Sequence, residues 1–244
     1  MTRLFIPDPI HAGSVHTLPP EQTRYLGKVL RLKTGDEVAV FNGDCGEWLA
    51  RITSFTRKAV TLEAIESRDS NVESPLFVWL VQGLSRGDRM DTVVQKATEL
   101  GVDRITPVLT HRGTVKLGGS RIEKRRAHYQ GIANSACEQS GRTRPPSVDT
   151  PIALNDWLGQ AALPNTRFIL DPRSDTPLTA AKAPDDQRLC LLVGPEGGFS
   201  EREEEDAAVT GFAPVSLGPR VLRTETAAIA AMAAVQLYWG DLQA

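Results

Sequence analysis

The sequence predicts an α/β protein in two parts, a small β-barrel over residues 1–70 and a larger α/β domain with a mainly parallel sheet over residues 75–244. Three observations predict it. The first seventy residues break into short β-rich pieces separated by turn residues. From Leu76 onward, apolar strands alternate with segments of helical periodicity, the pattern of a parallel sheet with crossover helices. Between the two lies RDSNVESP (Arg68 to Pro75), polar and without periodicity, which reads as a linker.

Taken in order, RLFIP, EVAVFNGDCGEWLARI and KAVTLEAI supply the barrel strands, and Asn42, Gly43, Asp44, Cys45 and Gly46 carry hairpin chemistry because Asn and Gly tolerate positive φ. One helix near Pro20 to Leu32 interrupts them. Its Arg24, Lys28 and Arg31, with Lys33 beyond, give the barrel a basic edge or simply a solvated face. LFVWLVQGL then forms a continuous apolar strand, Met90, Val93, Val94, Ala97 and Leu100 recur at helical spacing, Gly101 ends that helix, and VDRITPVL is the next strand. A basic helix from Ser120 to Ser140 follows, with Ser120 and Glu123 spaced as a capping box. Three further strands, RFILD, RLCLLV and APVSLG, each run into a proline-containing loop: Asp171-Pro172, Gly194-Pro195 and Gly218-Pro219. Ligands of open α/β sheets bind at such strand ends.

Composition narrows the function. With 244 residues, 41% hydrophobic and 24% charged, the chain can bury a substantial core. The most apolar helix, near Ala227 to Leu237, is shorter than the roughly 20 residues that cross a bilayer, and no signal-like N-terminal segment appears. The expectation is a cytoplasmic protein with no membrane association. Cys45, Cys137 and Cys190 are widely spaced and read as buried thiols, and no His or Cys spacing suggests a metal. The net charge of −2 conceals a segregation: residues 1–83 hold 9 basic against 10 acidic side chains, residues 84–146 hold 12 against 6, and residues 147–244 hold 7 against 14. A basic middle can grip a polyanion that an acidic C-terminal part rejects.

The stretch LLVGPEGGFSEREEE (Leu191 to Glu205) is a strand, a tight glycine loop and a helix opened by a Ser200–Glu203 capping box. Glycine loops at helix N-termini usually cradle phosphate, yet this one holds Glu196 and precedes Glu201, Glu203, Glu204, Glu205 and Asp206. Either these acids complement the helix dipole, at about 0.3–1 kcal/mol each, or the loop takes a ligand that lacks phosphate and disfavours ATP and NAD. Gly83-Leu84-Ser85-Arg86-Gly87 matches the GxSxG nucleophile elbow of serine hydrolases, but that family needs a late histidine and the last one here is His128. The polar loop reading is the better one.

QGLSRGDRMDTVVQKATELGVDRITPV, EQSGR (Glu138 to Arg142), LLVGPEGGFS and SLGPRVLRTETAA (Ser216 to Ala228) together resemble the RsmE family of ribosomal RNA methyltransferases, of the SPOUT superfamily. TRLFIP and YLGKVLRLKTGDEVAVFNG resemble that family's PUA-like N-terminal domain, so the likeness spans nearly the whole chain. Arg86 stands where a lysine is commoner and keeps the charge. The resemblance implies S-adenosylmethionine as methyl donor, transfer to N3 of a uridine in 16S (small-subunit) ribosomal RNA, a homodimer, and a trefoil knot in the C-terminal domain. A homodimer also suits the helix around Ala227 to Ala234, small nearly all round, although a helix buried within one chain has the same pattern.

On that reading Leu170, Gly194, Pro195, Gly197, Gly198, Leu217, Gly218, Val221, Leu222 and Ala227 line the cofactor pocket. Glycine is required where a side chain would fill it. Arg223 is the candidate to stabilise the anion left when uracil N3 loses its proton, its alternative being a salt bridge with Glu225; Glu138 is the candidate base. Arg3, Lys28, Arg31, Arg86, Arg89, Lys96, Arg112 and Arg142 are the candidates for RNA contact. The rival from another class is a non-catalytic RNA-binding module, which would have no need of glycine loops at three strand ends.

Overall fold

The computed structural model describes residues 1–44, 46–70, 72–113, 119–159 and 162–243. These form two compact units, one of residues 1–73 and 137–145, the other of residues 74–136 and 146–244. Residues 137–145, which the sequence assigns to the second part, thus cluster with the first.

In the first unit the strands are β1 (Arg3–Phe5), β2 (Val15–Thr17), β3 (Glu37–Phe41), β4 (Glu47–Phe55) and β5 (Val60–Arg68), with helix α1 (Pro20–Lys28) between β2 and β3. They hydrogen-bond in the order β1-β3-β4-β5-β2, with β1 parallel to β3 and the other pairs antiparallel. No pair closes this path among the described residues, so the expected barrel is a half-barrel. Register shifts at Leu49/Ala50 and Ile52/Ser54 interrupt the long β4–β5 ladder, and such bulges let a strand bend around a core. Leu4, Leu26, Val38, Val40, Ile52 and Leu62 fill that core. Helix α1 ends at Lys28, four residues before the expected Leu32, and Arg31 beyond it has a positive φ of 56°.

The second unit contains β6 (Phe77–Gly83), α2 (Arg89–Glu99), β7 (Arg104–Leu109), α3 (Ser120–Ser140, whose end belongs to the first unit), β8 (Ser147–Val148), β9 (Ile152–Ala153), α4 (Leu154–Leu158), β10 (Thr166–Leu170), β11 (Arg188–Val193), α5 (Glu201–Val209), β12 (Ala213–Val215) and α6 (Thr224–Trp239). All strand pairs are parallel, in the order β12-β10-β11-β6-β7-β8, with β9 also on β7. Both faces of the sheet are covered, which is why β6 and β11 read as unbroken apolar runs. Val78, Leu80, Leu191 and Val193 pack with α2, α3 and α6 on one face, through Met90, Val94, Tyr129, Met232 and Val235. Trp79, Val81, Cys190 and Leu192 face the other way, toward Trp157 of α4 and Ala207 of α5.

The helical spacing of Met90, Val93, Val94 and Ala97 places all four in the core. Ser200 and Glu203 form the expected capping box. The Ser120 side chain of the second expected box lies outside the described residues; Glu123 pairs with Arg126 at 3.2 Å. The short α4 escaped the sequence reading. Among the described residues no helix is long and apolar enough to cross a membrane.

Candidate active site

The second unit holds a cavity of about 670 Å³ at the carboxyl ends of β10, β11 and β12. Its wall is built from the loops that follow those strands and from the first turn of α6. Nine of the ten residues expected to line a cofactor pocket do line it, all but Gly218. Leu170, Leu217 and Leu222 supply apolar surface, while Gly194, Gly197 and Gly198 supply bare backbone.

Two contacts hold these loops in register. A Cβ added to Gly83 would come within 2.5 Å of Pro195, so the end of β6 and the β11 loop approach as only glycine allows. Gln82, fully buried at the end of β6, donates from Nε2 to the Thr224 hydroxyl at 2.8 Å, and Thr224 donates in turn to the Gly194 carbonyl at 2.5 Å. Gln82, Thr224 and Gly194 thereby tie β6, α6 and the β11 loop into one frame. Gly198 is needed for its conformation as well: its φ is +66°, and an added Cβ would meet no protein atom within 4 Å among the described residues.

The electrostatics also correct a sequence expectation. The acids of the β11 loop and of α5 do not leave the cavity negative, because arginines remote in sequence come to meet them. Arg89 pairs with Glu196 and lies 3.9 Å from Glu225. Arg173 bridges Asp171 at 3.0 Å and Glu204 at 2.6 Å. With Arg112, Arg220 and Arg223 the lining holds five arginines against the four acids Asp171, Glu196, Glu204 and Glu225. Repulsion of phosphate by the loop therefore does not follow. Burial opposes ionisation of Glu196, but hydrogen bonds from its own backbone N–H, the Arg89 guanidinium and the Arg86 N–H outweigh it and hold the carboxyl below its ordinary value. The Arg173 guanidinium beside Asp171 likewise lowers that carboxyl. Glu203 is spent structurally, accepting from the Ser200 N–H at 2.8 Å and the His111 N–H at 2.7 Å.

Glu225 stands apart. It lines the cavity, and its Oε2 is buried with no hydrogen-bond partner among the described residues. Arg223, at the N-cap of α6, is exposed at the cavity and makes no ion pair among the described residues, so the anticipated Arg223–Glu225 bridge is replaced by Arg89–Glu225. Sequence reading missed Gln82 and Thr224, and gave Glu225 only as an alternative partner for Arg223. The signal for Gln82 was there, a single amide inside the apolar run LFVWLVQGL.

Glu138 belongs to the first unit, accepts the Phe5 N–H at 2.9 Å, and does not line the cavity. Burial raises its pKa against the opposing Phe5 hydrogen bond and the Arg3 charge. Of the candidate RNA contacts, Arg89 and Arg112 line the cavity, and Lys28, Arg31 and Arg86 are exposed. Lys96 is held by Glu99 at 2.8 Å. Two candidates are corrected. Arg142 is buried against Glu73 at 2.8 Å. Arg3 pairs with Glu47 at 2.9 Å, donates to the Cys137 carbonyl at 2.9 Å and stacks over Phe41. Both are committed to internal partners, Arg142 almost fully enclosed and Arg3 part-buried.

Ser85 of the GxSxG match is buried, and its hydroxyl donates to the Gly83 carbonyl at 3.4 Å rather than to a histidine. Cys137 and Cys190 are buried thiols, and burial pushes Cys137 up to about 12; Cys45 lies outside the described residues. Among the described residues no cluster of three His, Cys, Asp or Glu side chains is arranged to hold a metal ion.

Residues 72–236 match the RNA methyltransferase domain family, and residues 18–65 match the RNA methyltransferase PUA domain family. The chain is 33% identical over 241 residues to the Ribosomal RNA small subunit methyltransferase E of Buchnera aphidicola (subsp. Schizaphis graminum), covering 98% of this chain and 97% of that one. Its fold is similar to that of a Ribosomal RNA small subunit methyltransferase E from Neisseria gonorrhoeae solved with S-adenosyl methionine, at 38% identity, a TM-score of 0.91 and 99% coverage of both chains. A Legionella pneumophila protein described as a methyltransferase, solved with the cofactor SAM, is similar at 38% identity, a TM-score of 0.93 and 99% coverage of both chains.

Proposed function

The chain belongs to the ribosomal RNA small subunit methyltransferase E family, and from that premise we propose that it methylates N3 of a uridine in 16S ribosomal RNA with S-adenosylmethionine as donor. The observation that carries the reading is the cavity at the ends of β10, β11 and β12. It is large enough for a nucleoside-sized ligand, lined with leucines for an adenine ring and bare backbone for its polar edge. Glu225 adds to that wall a carboxylate whose Oε2 has no hydrogen-bond partner among the described residues, and a cationic ligand suits such a charge.

Bound there, S-adenosylmethionine supplies an electrophilic methyl group. The chain does the rest. Gly194, Gly197, Leu217 and Leu222 hold and orient the donor, and the Gln82–Thr224–Gly194 tie keeps their loops from drifting, which matters because transfer depends on in-line alignment. Arg223 stands at the cavity with a guanidinium that makes no ion pair among the described residues, suited to stabilise the charge that develops on the uracil oxygens as N3 loses its proton. Arg86 and Arg112, both exposed, are suited to hold RNA phosphates near that point. Lys28 and Arg31, exposed on the first unit, are suited to hold RNA phosphates there.

The reading extends to a homodimer in the cytoplasm and to a trefoil knot in the second domain. Exposed Val221 before α6 and exposed Leu237 and Tyr238 at its far end support an interface between copies. The deciding experiment incubates the purified protein with labelled S-adenosylmethionine and unmodified small ribosomal subunits, followed by mass mapping of the RNA. Label on uridine N3 is expected. Label on another position would overturn the N3 assignment, and RNA binding without label would favour the non-catalytic module.

A further inference from the structure

We propose that Glu225 is the residue by which this site reads the positive charge of its donor. Two carboxylates, Glu196 and Glu225, share the single guanidinium of Arg89, and that sharing is uneven. Glu196 makes the close contact and also takes the Arg86 N–H. Glu225 is left with Arg89 at 3.9 Å from its Oε1, beyond hydrogen-bonding distance, and with a buried Oε2 that has no partner among the described residues. A buried carboxylate oxygen without a partner is costly, and it persists where a ligand supplies the missing donor or charge.

The other cations at the cavity do not fill the gap. Arg173 is committed to Asp171 and Glu204. Arg112, Arg220 and Arg223 are exposed and make no ion pair with Glu225 among the described residues. Backbone geometry fixes Glu225 in place, because it opens α6 directly after Thr224, whose hydroxyl is anchored on the Gly194 carbonyl at 2.5 Å. Glu225 is therefore held in the cavity wall by a rigid helix start rather than by a loop. Its complement in the ligand is a cation, and S-adenosylmethionine offers two, the sulfonium and the α-ammonium.

The inference rests on the proposed methyl-donor reading, and calorimetry on ligand-free protein tests the two separately. The native protein and Glu225→Gln are titrated with S-adenosylmethionine, with its neutral thioether product S-adenosylhomocysteine, and with the deaminated product. If the carboxylate reads the sulfonium, Glu225→Gln weakens S-adenosylmethionine by about 10-fold, the size expected for one charge-assisted interaction, and leaves the thioether unchanged. If it reads the ammonium, both are weakened alike, while binding of the deaminated product is unaffected. Unchanged affinity for both cofactor forms overturns the inference. Should Glu225→Gln fail to fold, Glu225→Asp keeps the charge but withdraws it by one methylene. A loss of about 3-fold for the same ligand is then expected, and no loss again overturns it. Native protein that binds no S-adenosylmethionine at all would instead remove the methyl-donor reading.

Discussion

Thr224 donates its hydroxyl proton to the Gly194 carbonyl at 2.5 Å while accepting from Gln82 Nε2 at 2.8 Å. One oxygen thus joins three segments that are far apart in the chain. Thr224→Val keeps the shape and removes both bonds, leaving the buried Gln82 amide and the Gly194 carbonyl without their partner. The expected cost is about 1–3 kcal/mol of stability, seen in denaturant unfolding, together with weaker cofactor binding as the β11 loop loosens. Thr224→Ser keeps the hydroxyl and should restore most of both. Equal cofactor affinity in the valine and native proteins would show that the tie does not position the loop.

The Arg142–Glu73 pair makes a second prediction, on stability rather than on RNA. Both side chains are almost fully enclosed, at 5% and 4% exposure, and Glu73 also accepts the Thr143 N–H at 2.8 Å and the Arg144 N–H at 3.0 Å. Removing one member leaves the other's charge enclosed without that counterion. Arg142→Ala is expected to destabilise the first unit by about 3–5 kcal/mol, with lowered melting and increased protease sensitivity. If it melts like the native protein and loses RNA affinity instead, Arg142 is a recognition residue after all.

These two pairs mark where the sequence was legible and where it was not. Local chemistry carried far: the spacing of Met90, Val93, Val94 and Ala97, the Ser200–Glu203 box and the proline-containing loops all concern neighbours within a turn or two. The fold and the cavity wall followed from them. Charge did not, because its sign at a site is summed over residues distant in the chain. Counting along Glu196 to Asp206 gave an acidic loop, yet Arg89 and Arg173 fold onto it. Counting Arg142 into a basic segment overlooked Glu73. An ion pair across such separations leaves no periodic trace, and only the packed chain reveals whether an arginine is surface or core.

Glu138 gives a pH-dependent prediction. Its folded pKa is raised, with burial outweighing the Phe5 hydrogen bond and the Arg3 charge. A carboxyl that binds its proton more tightly when folded favours the folded state as the pH falls through that raised value, and costs stability above it, where it must ionise in a buried place. Glu138→Gln keeps an oxygen for the Phe5 N–H and removes the ionisation. The variant should therefore gain melting temperature relative to the native protein at pH 8, with the difference shrinking as the pH drops toward and below the ordinary glutamate range. Methyl transfer should persist, since Glu138 is engaged by β1 and does not line the cavity. A collapse of transfer at unchanged stability and unchanged cofactor and RNA binding would restore it as the base.

RNA grip and methyl transfer should separate by mutation. Lys28 and Arg31 are exposed at and just beyond the end of α1 and make no ion pair among the described residues, so reversing both to glutamate disturbs no internal pairing. For every phosphate that is no longer neutralised, the dependence of log affinity on log salt flattens by about one unit, and the added negative charge weakens binding further. Cofactor affinity, set in the other unit, should be unchanged. Arg223→Ala should do the reverse. RNA and cofactor remain bound, but the anion forming on uracil loses the charge of Arg223, and single-turnover transfer should slow by about 10²-fold or more. Lysine at position 223 returns the charge without the planar fork and is expected to recover only part of the rate. Native turnover by Arg223→Ala would refute its catalytic role. An unchanged salt slope in the double reversal would make the basic edge of α1 nothing more than solvated surface.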